Sequence, residues 1–321
     1  MQKVVNVMQM LLMTGNTDIN FPNLNLWLKN VPDGFDVFGF HIALYGVCIG
    51  LGMLCGWLIA EWMAKRTGQK PEFYLDFALV AIVVSVIFTR LFYVLFSLDE
   101  FKDDPLQVFN LRNGGLMIYG GIFGAVLTAF IYTRVKKYSF WLLADTGCIG
   151  LITGQIIGRW GNFFNREVFG KYSNNIFAMQ LDRTVVSEDY RMAEHLLREK
   201  YAGKETLINR ILEIRNNIKT VDGVEYIQVH PTFLYEALWN LGLLIFLILY
   251  TKHKKFDGEV MLLYMAGYGL GRFWIEGMRT DQLFLWGTAI PISQLIATLI
   301  FVVCISMILI KRRKLSKIKI K

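Results

Sequence analysis

Charged and amide side chains recur inside stretches that are otherwise apolar. The stretch Gly154–Gly170 places Gln155, Arg159 and Asn162 at i, i+4 and i+7, so they share one face of a helix. An ionisable group at membrane depth is costly and is a functional candidate for that reason. An arginine beside an asparagine is suited to gripping a phosphate. Helix packing with a snorkelling arginine is the alternative. In Tyr268–Arg279 the residues Arg272, Glu276 and Arg279 repeat the same spacing. Arg272 and Glu276 form a structural pair or leave the guanidinium capacity for a substrate oxygen. Tyr119 lies between two Gly pairs, Tyr45 precedes Gly46 and Gly50, and Arg90 sits deep in an apolar run and needs a partner. His230-Pro-Thr-Phe-Leu-Tyr-Glu236 opens another run, with Pro231 fit for a first helical turn and Tyr235 and Glu236 following it. Each group falls toward one end of its run, which predicts a cationic cavity for an anionic headgroup.

The elements that must position these residues are long apolar runs. Seven reach or approach the roughly 20 residues a bilayer demands: about Phe38–Met63, Phe73–Leu98, Leu116–Thr133, Phe140–Ile157, Thr232–Tyr250, Val260–Glu276 and Ala289–Ile310. Lys and Arg mark cytoplasmic loops. Lys65, Arg66 and Lys70 follow the first run, Arg134, Lys136 and Lys137 the third, and Lys252, Lys254 and Lys255 the fifth. The tail from Lys311 to Lys321 is densely basic, whereas the opposite loops hold Lys102, Arg112 and Arg279. The fold class is therefore an all-α polytopic membrane protein with seven transmembrane helices, the N-terminus outside and the C-terminus cytoplasmic. The clusters then face the outer leaflet.

A polar stretch interrupts this pattern. Residues 171–229 carry equal numbers of acidic and basic side chains. Ser187–Asn217 reads as helical, and Val221–Val229 reads as a strand or as a hairpin around Asp222-Gly223. This predicts a small extracytoplasmic α+β insertion. The expected organisation is an extracytoplasmic segment 1–35, helices one to four with a following loop over 36–170, the insertion 171–229, helices five to seven over 230–310, and a basic tail 311–321. The first seventeen residues hold one Lys and a short apolar patch, a weak match to a removable leader.

Composition narrows the function. The 321 residues are 54% hydrophobic and 19% charged, unlike a soluble domain. The net charge of +8 belongs to membrane-flanking loops rather than to a basic-aromatic nucleic-acid module. The four cysteines lie inside the runs and read as small buried residues, and the four histidines lack ligand spacing, so no metal is expected. An anion transporter would show repeats and polar groups leading to both faces. A CDP-alcohol phosphotransferase would show a multi-Asp metal motif, which the runs lack.

The run Gly158-Arg-Trp-Gly-Asn-Phe-Phe-Asn-Arg-Glu-Val-Phe-Gly170 resembles the signature G-R-x-G-N-F-x-N-x-E-x-x-G of the prolipoprotein diacylglyceryl transferases at every fixed position. The resemblance extends to Tyr45-Gly46, Arg90 with Tyr93–Phe96, Gly114–Gly121, His230–Glu236 and Arg272 with Glu276. It implies a multi-pass enzyme of the bacterial inner membrane with no cofactor. That enzyme would move the diacylglyceryl group of phosphatidylglycerol onto the lipobox cysteine of preprolipoprotein signal peptides, leaving a thioether and glycerol 1-phosphate.

In that reading Arg159 and Arg272 stabilise the leaving anion, Glu276 fixes Arg272, and Tyr45 hydrogen-bonds the headgroup or the leaving group. Asn162, Glu167, Gly170, Arg90, His230, Tyr235 and Glu236 are expected at the substrate-binding positions. Tyr119 stands where many members of the family have His. A phenol with a pKa near 10 is a poor base at neutral pH, so Tyr119 is a site residue with no defined role.

Overall fold

The computed structural model describes residues 17–102, 104–110, 114–280, 282, 284–285 and 291–320. The apolar patch at the start of the chain and Arg112 lie outside the described residues. The chain forms two compact units. The first comprises the described residues of Met1–Leu54, Ile152–Tyr250 and Leu262–Lys321, and the second Cys55–Leu151 with Thr251–Met261.

Nine α-helices and seven strands are found among the described residues: β1 Thr17–Phe21, β2 Leu26–Val31, β3 Gly34–Val37, β4 Phe40–Ala43, α1 Leu44–Arg66, α2 Glu72–Phe96, α3 Ile118–Val135, α4 Phe140–Phe164, β5 Met179–Asp182, α5 Glu194–Lys200, α6 Glu205–Asn216, β6 Lys219–Val221, β7 Val224–Val229, α7 Thr232–Tyr250, α8 Glu259–Glu276 and α9 Ile292–Ile320. Six helices, α1 to α4, α7 and α9, are long and apolar enough to cross a membrane. The chain is thus a mostly helical, multi-pass membrane protein. Helix α8 has 18 residues and carries Glu259, Arg272 and Glu276.

The first apolar run begins differently from its expected start at Phe38. Residues Gly34–Ala43 form a β3–β4 hairpin, with Val37 opposite Phe40, and helix starts only at Leu44. Phe38 and Gly39 both take positive φ at its tip, and the Asp36 carboxylate lies 3.1 Å from His41 Nδ1 across the pair. These turn residues halt helix formation where hydropathy alone continues the run.

In the first unit, β1, β2, β5, β6 and β7 form one antiparallel sheet in the order β2-β1-β5-β7-β6. Strands from residues 17–31 therefore pair with strands from the polar insertion. Ile19, Leu181 and Ile227 stand in register across three strands and are fully buried. Side chains alternate between faces along a strand, so the neighbouring row is Asn20, Gln180 and Gln228, also buried. Gln180 Nε2 donates to Gln228 Oε1 at 3.1 Å, and Gln228 Nε2 donates to the Ser173 carbonyl at 2.9 Å.

The apolar face meets Leu197 of α5, Ile208, Ile211 and Ile214 of α6, Phe163 at the end of α4 and Phe233 at the start of α7. One core thus holds the sheet against the ends of two apolar helices. The expected helix Ser187–Asn217 is instead a short 3-10 turn followed by α5 and α6, broken at Gly203 with φ +79°. Asp189 precedes α5. Burial acts to raise its carboxyl pKa, but hydrogen bonds from Lys200, Tyr201 and Ser187 outweigh it and hold the group below the usual range. The β6–β7 hairpin turns at Asp222-Gly223, both at positive φ, as a two-residue loop requires.

In the second unit, α3 lays Gly120, Gly121 and Gly124 against Phe88, Thr89 and Ser85 of α2. Asp145 accepts from the backbone N–H groups of Gly258 at 2.9 Å and Met261 at 3.0 Å, pinning the start of α8.

Candidate active site

The site is built around Glu236, in the second turn of α7. Its carboxylate is 4% exposed and meets three guanidinium groups. Arg159 Nη2 from α4 lies 2.7 Å from Oε2, Arg272 Nη1 from α8 lies 3.4 Å from Oε1, and Arg279 Nη1 lies 3.7 Å from Oε1. Glu276 is 3% exposed and binds Arg272 Nη2 at 2.6 Å, with Arg279 Nε at 3.9 Å. The carboxylates form the floor. Arg159 and Arg272 keep 20% and 22% of their side-chain surface exposed, and Arg279 keeps 10%.

Three guanidiniums against two carboxylates leave one net positive charge. An unpaired buried charge costs several kcal/mol, so the carboxylates make a cluster of arginines tolerable in an apolar setting. They also fix the forks in place before any anion arrives. A preorganised donor array of this kind stabilises charge that develops during a reaction.

The signature residues support this array. Asn162 accepts from Arg159 Nη1 at 3.4 Å through Oδ1 and donates to Glu167 Oε1 at 2.9 Å through Nδ2. Asn165 Nδ2 donates to the same Glu167 oxygen at 3.4 Å. Both ends of the Asn162 amide are thus engaged, so it orients Arg159. Gln155 accepts from Tyr264 Oη at 3.1 Å. Arg166 is buried with φ +52°, and its guanidinium donates to Thr17 Oγ1 at 2.7 Å, to the Phe164 carbonyl at 2.6 Å and to the Val31 carbonyl. The N-terminal strands therefore hold the turn that follows α4.

Gly170 bridges to Arg279 and donates its N–H to the His230 carbonyl at 2.9 Å. A Cβ there would lie 2.9 Å from the Met278 carbonyl oxygen and 2.8 Å from His230 Cβ, so only glycine admits this approach. His230 Nδ1 lies 3.2 Å from Tyr235 Oη, which accepts from Asn175 Nδ2 at 2.9 Å. Burial, assisted by Lys171, pushes the His230 pKa below its ordinary value. Tyr235 stacks on Trp274. Tyr45 lies over Gly161, where a Cβ would stand 2.7 Å from the tyrosine ring.

The structure thus brings Arg159, Asn162, Glu167, Glu236, Arg272 and Glu276 together, with Gly170 and His230 behind them. Arg90 and Tyr119 belong to the second unit. Arg90 is buried, and its donors meet carbonyl oxygens: Val108 at 2.8 Å from Nε, Gly114 and Gly115 at 3.0 and 2.9 Å from Nη1, and Gln107 at 2.5 Å from Nη2. The partner that Arg90 needs is therefore a loop backbone rather than an acid. Tyr119 is 69% exposed in the first turn of α3.

Three features were not legible in the pattern. Glu236 was expected as one of several substrate-binding residues rather than as the hub of three arginines. Arg279 shares the spacing of Arg272 and Glu276, yet α8 ends at Glu276, and Arg279 arrives through a turn and the bridge to Gly170. Gln282, 5% exposed, donates to the Glu276 carbonyl, and no spacing signals it.

Comparison with known proteins gives the family. The family model of prolipoprotein diacylglyceryl transferase matches residues 32–310. The phosphatidylglycerol–prolipoprotein diacylglyceryl transferase of Clostridioides difficile strain 630 is 38% identical over 251 residues, 78% of this chain and 84% of the relative. The protein of the same name from Halalkalibacterium halodurans is 36% identical, covering 82% and 80% of the two chains. That of Bacillus mycoides is 34% identical, covering 85% and 89%. A family model that matches residues 32–310 and relatives 34–38% identical over 78–85% of the sequence make this chain a member of the prolipoprotein diacylglyceryl transferase family.

Proposed function

We propose that this protein transfers the diacylglyceryl group of phosphatidylglycerol to the thiol of a lipobox cysteine in a preprolipoprotein, the first step of lipoprotein maturation. The observation that carries this reading is the net single positive charge of the Arg159–Arg272–Arg279 cluster on Glu236 and Glu276. It matches the single negative charge of a phosphodiester headgroup, and Arg159 and Arg272, each about a fifth exposed, keep N–H donors for phosphate oxygens.

In the reaction the cysteine thiolate attacks the glycerol carbon that bears the phosphodiester. A carbon–sulfur bond forms and the carbon–oxygen bond breaks, its electron pair leaving with glycerol 1-phosphate. Arg159 and Arg272 neutralise that leaving oxyanion. Glu236 and Glu276 hold the arginines, and Asn162 with Glu167 aims Arg159. Tyr45, lying against α4, hydrogen-bonds the headgroup. His230 and Tyr235 line the approach from the polar insertion. Arg90 shapes the loop before α3, and Tyr119 is given no defined role in the proton transfer. The thiol must lose its proton before attack, because the thiolate is the nucleophile.

We read α8 as a seventh span, because its charged residues belong to the site and not to a lipid-facing surface. With seven spans and basic loops on one side, the N-terminus is outside, the C-terminus is cytoplasmic, and the arginine cluster faces the outer leaflet of a bacterial cytoplasmic membrane. The insertion 171–229 then lies outside, where the preprolipoprotein arrives.

The test is a transfer assay with the purified chain, phosphatidylglycerol vesicles and a lipobox peptide. Thioether-linked diacylglyceryl peptide and released glycerol phosphate are expected; both should fall by about 10²–10³-fold with Arg159→Ala or Arg272→Ala and vanish with a Cys→Ser peptide. Folded protein that binds phosphatidylglycerol but makes no product would point to lipid binding or transport instead.

A further inference from the structure

Helix α8 carries Arg272 and Glu276, and its carbonyl end is held from outside the helix. The last carbonyls of any helix lack intrahelical partners. Here the Met278 carbonyl accepts from the Lys171 N–H at 2.8 Å, and the Phe273 carbonyl accepts from Gln294 Nε2 at 2.8 Å. The turn adds its own bonds, from the Met278 N–H to the Ile275 carbonyl and from the Arg279 N–H to the Glu276 carbonyl, and a further set comes through one side chain of the polar insertion. Arg210, on α6, donates from Nη1 to the Arg279 carbonyl at 2.5 Å and to Gln282 Oε1 at 2.7 Å. The Gln282 amide then donates to the Glu276 carbonyl. A cation at a helix C-terminus is also favoured by the helix dipole.

Arg210 is itself firmly placed. Its neighbours Ile208, Ile211 and Ile214 are buried in the core beneath the sheet. An extramembrane core therefore grips, through one guanidinium, the backbone of Arg279 and, through Gln282, the backbone of Glu276. Those are the residues that set the positions of Arg272 and Arg279 around Glu236.

From this arrangement we infer that Arg210 is a positioning residue for the phosphate-binding arginines, acting through Gln282. This rests on the transferase reading for the identity of the anion. Removing Arg210 frees the turn after α8, so Arg279 and Glu276 lose their fixed places and the grip on phosphate weakens. The peptide substrate does not bind through these carbonyls, so its affinity stays the same.

The experiment uses the full chain in detergent and measures three quantities: the Kd for short-chain phosphatidylglycerol by titration, and the KM values for phosphatidylglycerol and for a lipobox peptide. Arg210→Gln should weaken phosphatidylglycerol binding about tenfold or more, the scale expected when a binding group shifts by a fraction of an ångström to an ångström. The lipid KM should rise in parallel, with the peptide KM unchanged. Gln282→Leu should reproduce the effect, and Arg210→Lys should restore part of it. Arg198→Gln, which breaks an exposed pair on α5, should behave as the unaltered protein.

Wild-type lipid affinity in Arg210→Gln overturns the inference even if turnover falls, because the inference concerns the grip on the bound phosphate. If Arg210→Gln does not fold, wild-type affinity in Gln282→Leu overturns it. If the unaltered chain binds the lipid yet transfers nothing, the transferase reading fails while the variants' affinities still decide this one. If it does not bind the lipid, both fail.

Discussion

Arg159 and Arg90 each sit near the end of a long apolar helix, α4 and α2, and each satisfies its charge differently. Arg159 meets a buried carboxylate on one side and keeps a fifth of its surface open. Arg90 spends its donors on four carbonyls of one loop and is closed over by the rings of Tyr93 and Phe101. Carbonyl oxygens neutralise nothing, but here they take four of the five guanidinium N–H donors. Arg159 is engaged by Glu236 at Nη2 and by Asn162 at Nη1, one acceptor on each terminal nitrogen. The difference teaches that a guanidinium held by compact side chains keeps more donors to spare than one wrapped by a loop.

The largest effect should come from the hub. Glu236→Ala leaves Arg159 without its carboxylate and Arg272 and Arg279 with one fewer. Transfer should be abolished, and unfolding should become easier by about 3–5 kcal/mol, as for a broken buried ion pair. Denaturation followed alongside transfer checks both, and a stable, active variant would remove Glu236 from the comparison.

Arg159→Ala and Arg272→Ala come next. Each should lower transfer by about 10²–10³-fold, the scale of one lost transition-state donor, with a smaller change in stability because Glu236 keeps two arginines. Arg90→Ala should give the reverse signature. Its loop carbonyls lose their donors, costing about 1–3 kcal/mol, and hydrogen exchange should quicken over residues 105–115 while the KM for phosphatidylglycerol is unchanged. A raised lipid KM with normal stability would place Arg90 beside Arg159 instead.

The smallest effect concerns His230. Its folded pKa lies below the ordinary 6.5, so the unfolded chain takes up the proton first as pH falls. Stability is thus fully present above 6.5 and declines below it, until the folded-state imidazole titrates. His230→Asn should flatten the dependence of Tm on pH in that window, and an unchanged slope would show that other groups carry it.

Much of this was readable beforehand, and the exceptions share a cause. Helices α2, α4 and α7 fall close to their apolar runs because a long apolar stretch permits little else. The pairs Arg272–Glu276 and Arg159–Asn162 followed from helical spacing. What escaped detection depends on where the chain leaves regular structure. The approach of Arg279 to Glu236 comes through the turn after α8 and the bridge to Gly170, which no helical period signals. The β3–β4 hairpin consumes the first residues of an apolar run. The broken helix in the insertion turns on Gly203. Contacts such as Arg210 with Gln282 join residues 72 positions apart and have no periodic signature.

The sheet has a consequence for how the chain is made. β1 and β2 are synthesised first, yet β5 and β7 are encoded far downstream, at a distance like the 152 positions that separate Asn23 from its hydrogen-bond acceptor at Asn175. At about 5–20 residues per second, that interval lasts roughly eight to thirty seconds. Throughout it, four apolar helices must be placed in the bilayer while the first two strands wait with an open edge. Asp18 and Asn20 on β1, with Lys29 and Asn30 on β2, put polar side chains on that waiting ribbon, a defence against pairing with the wrong chain during biogenesis.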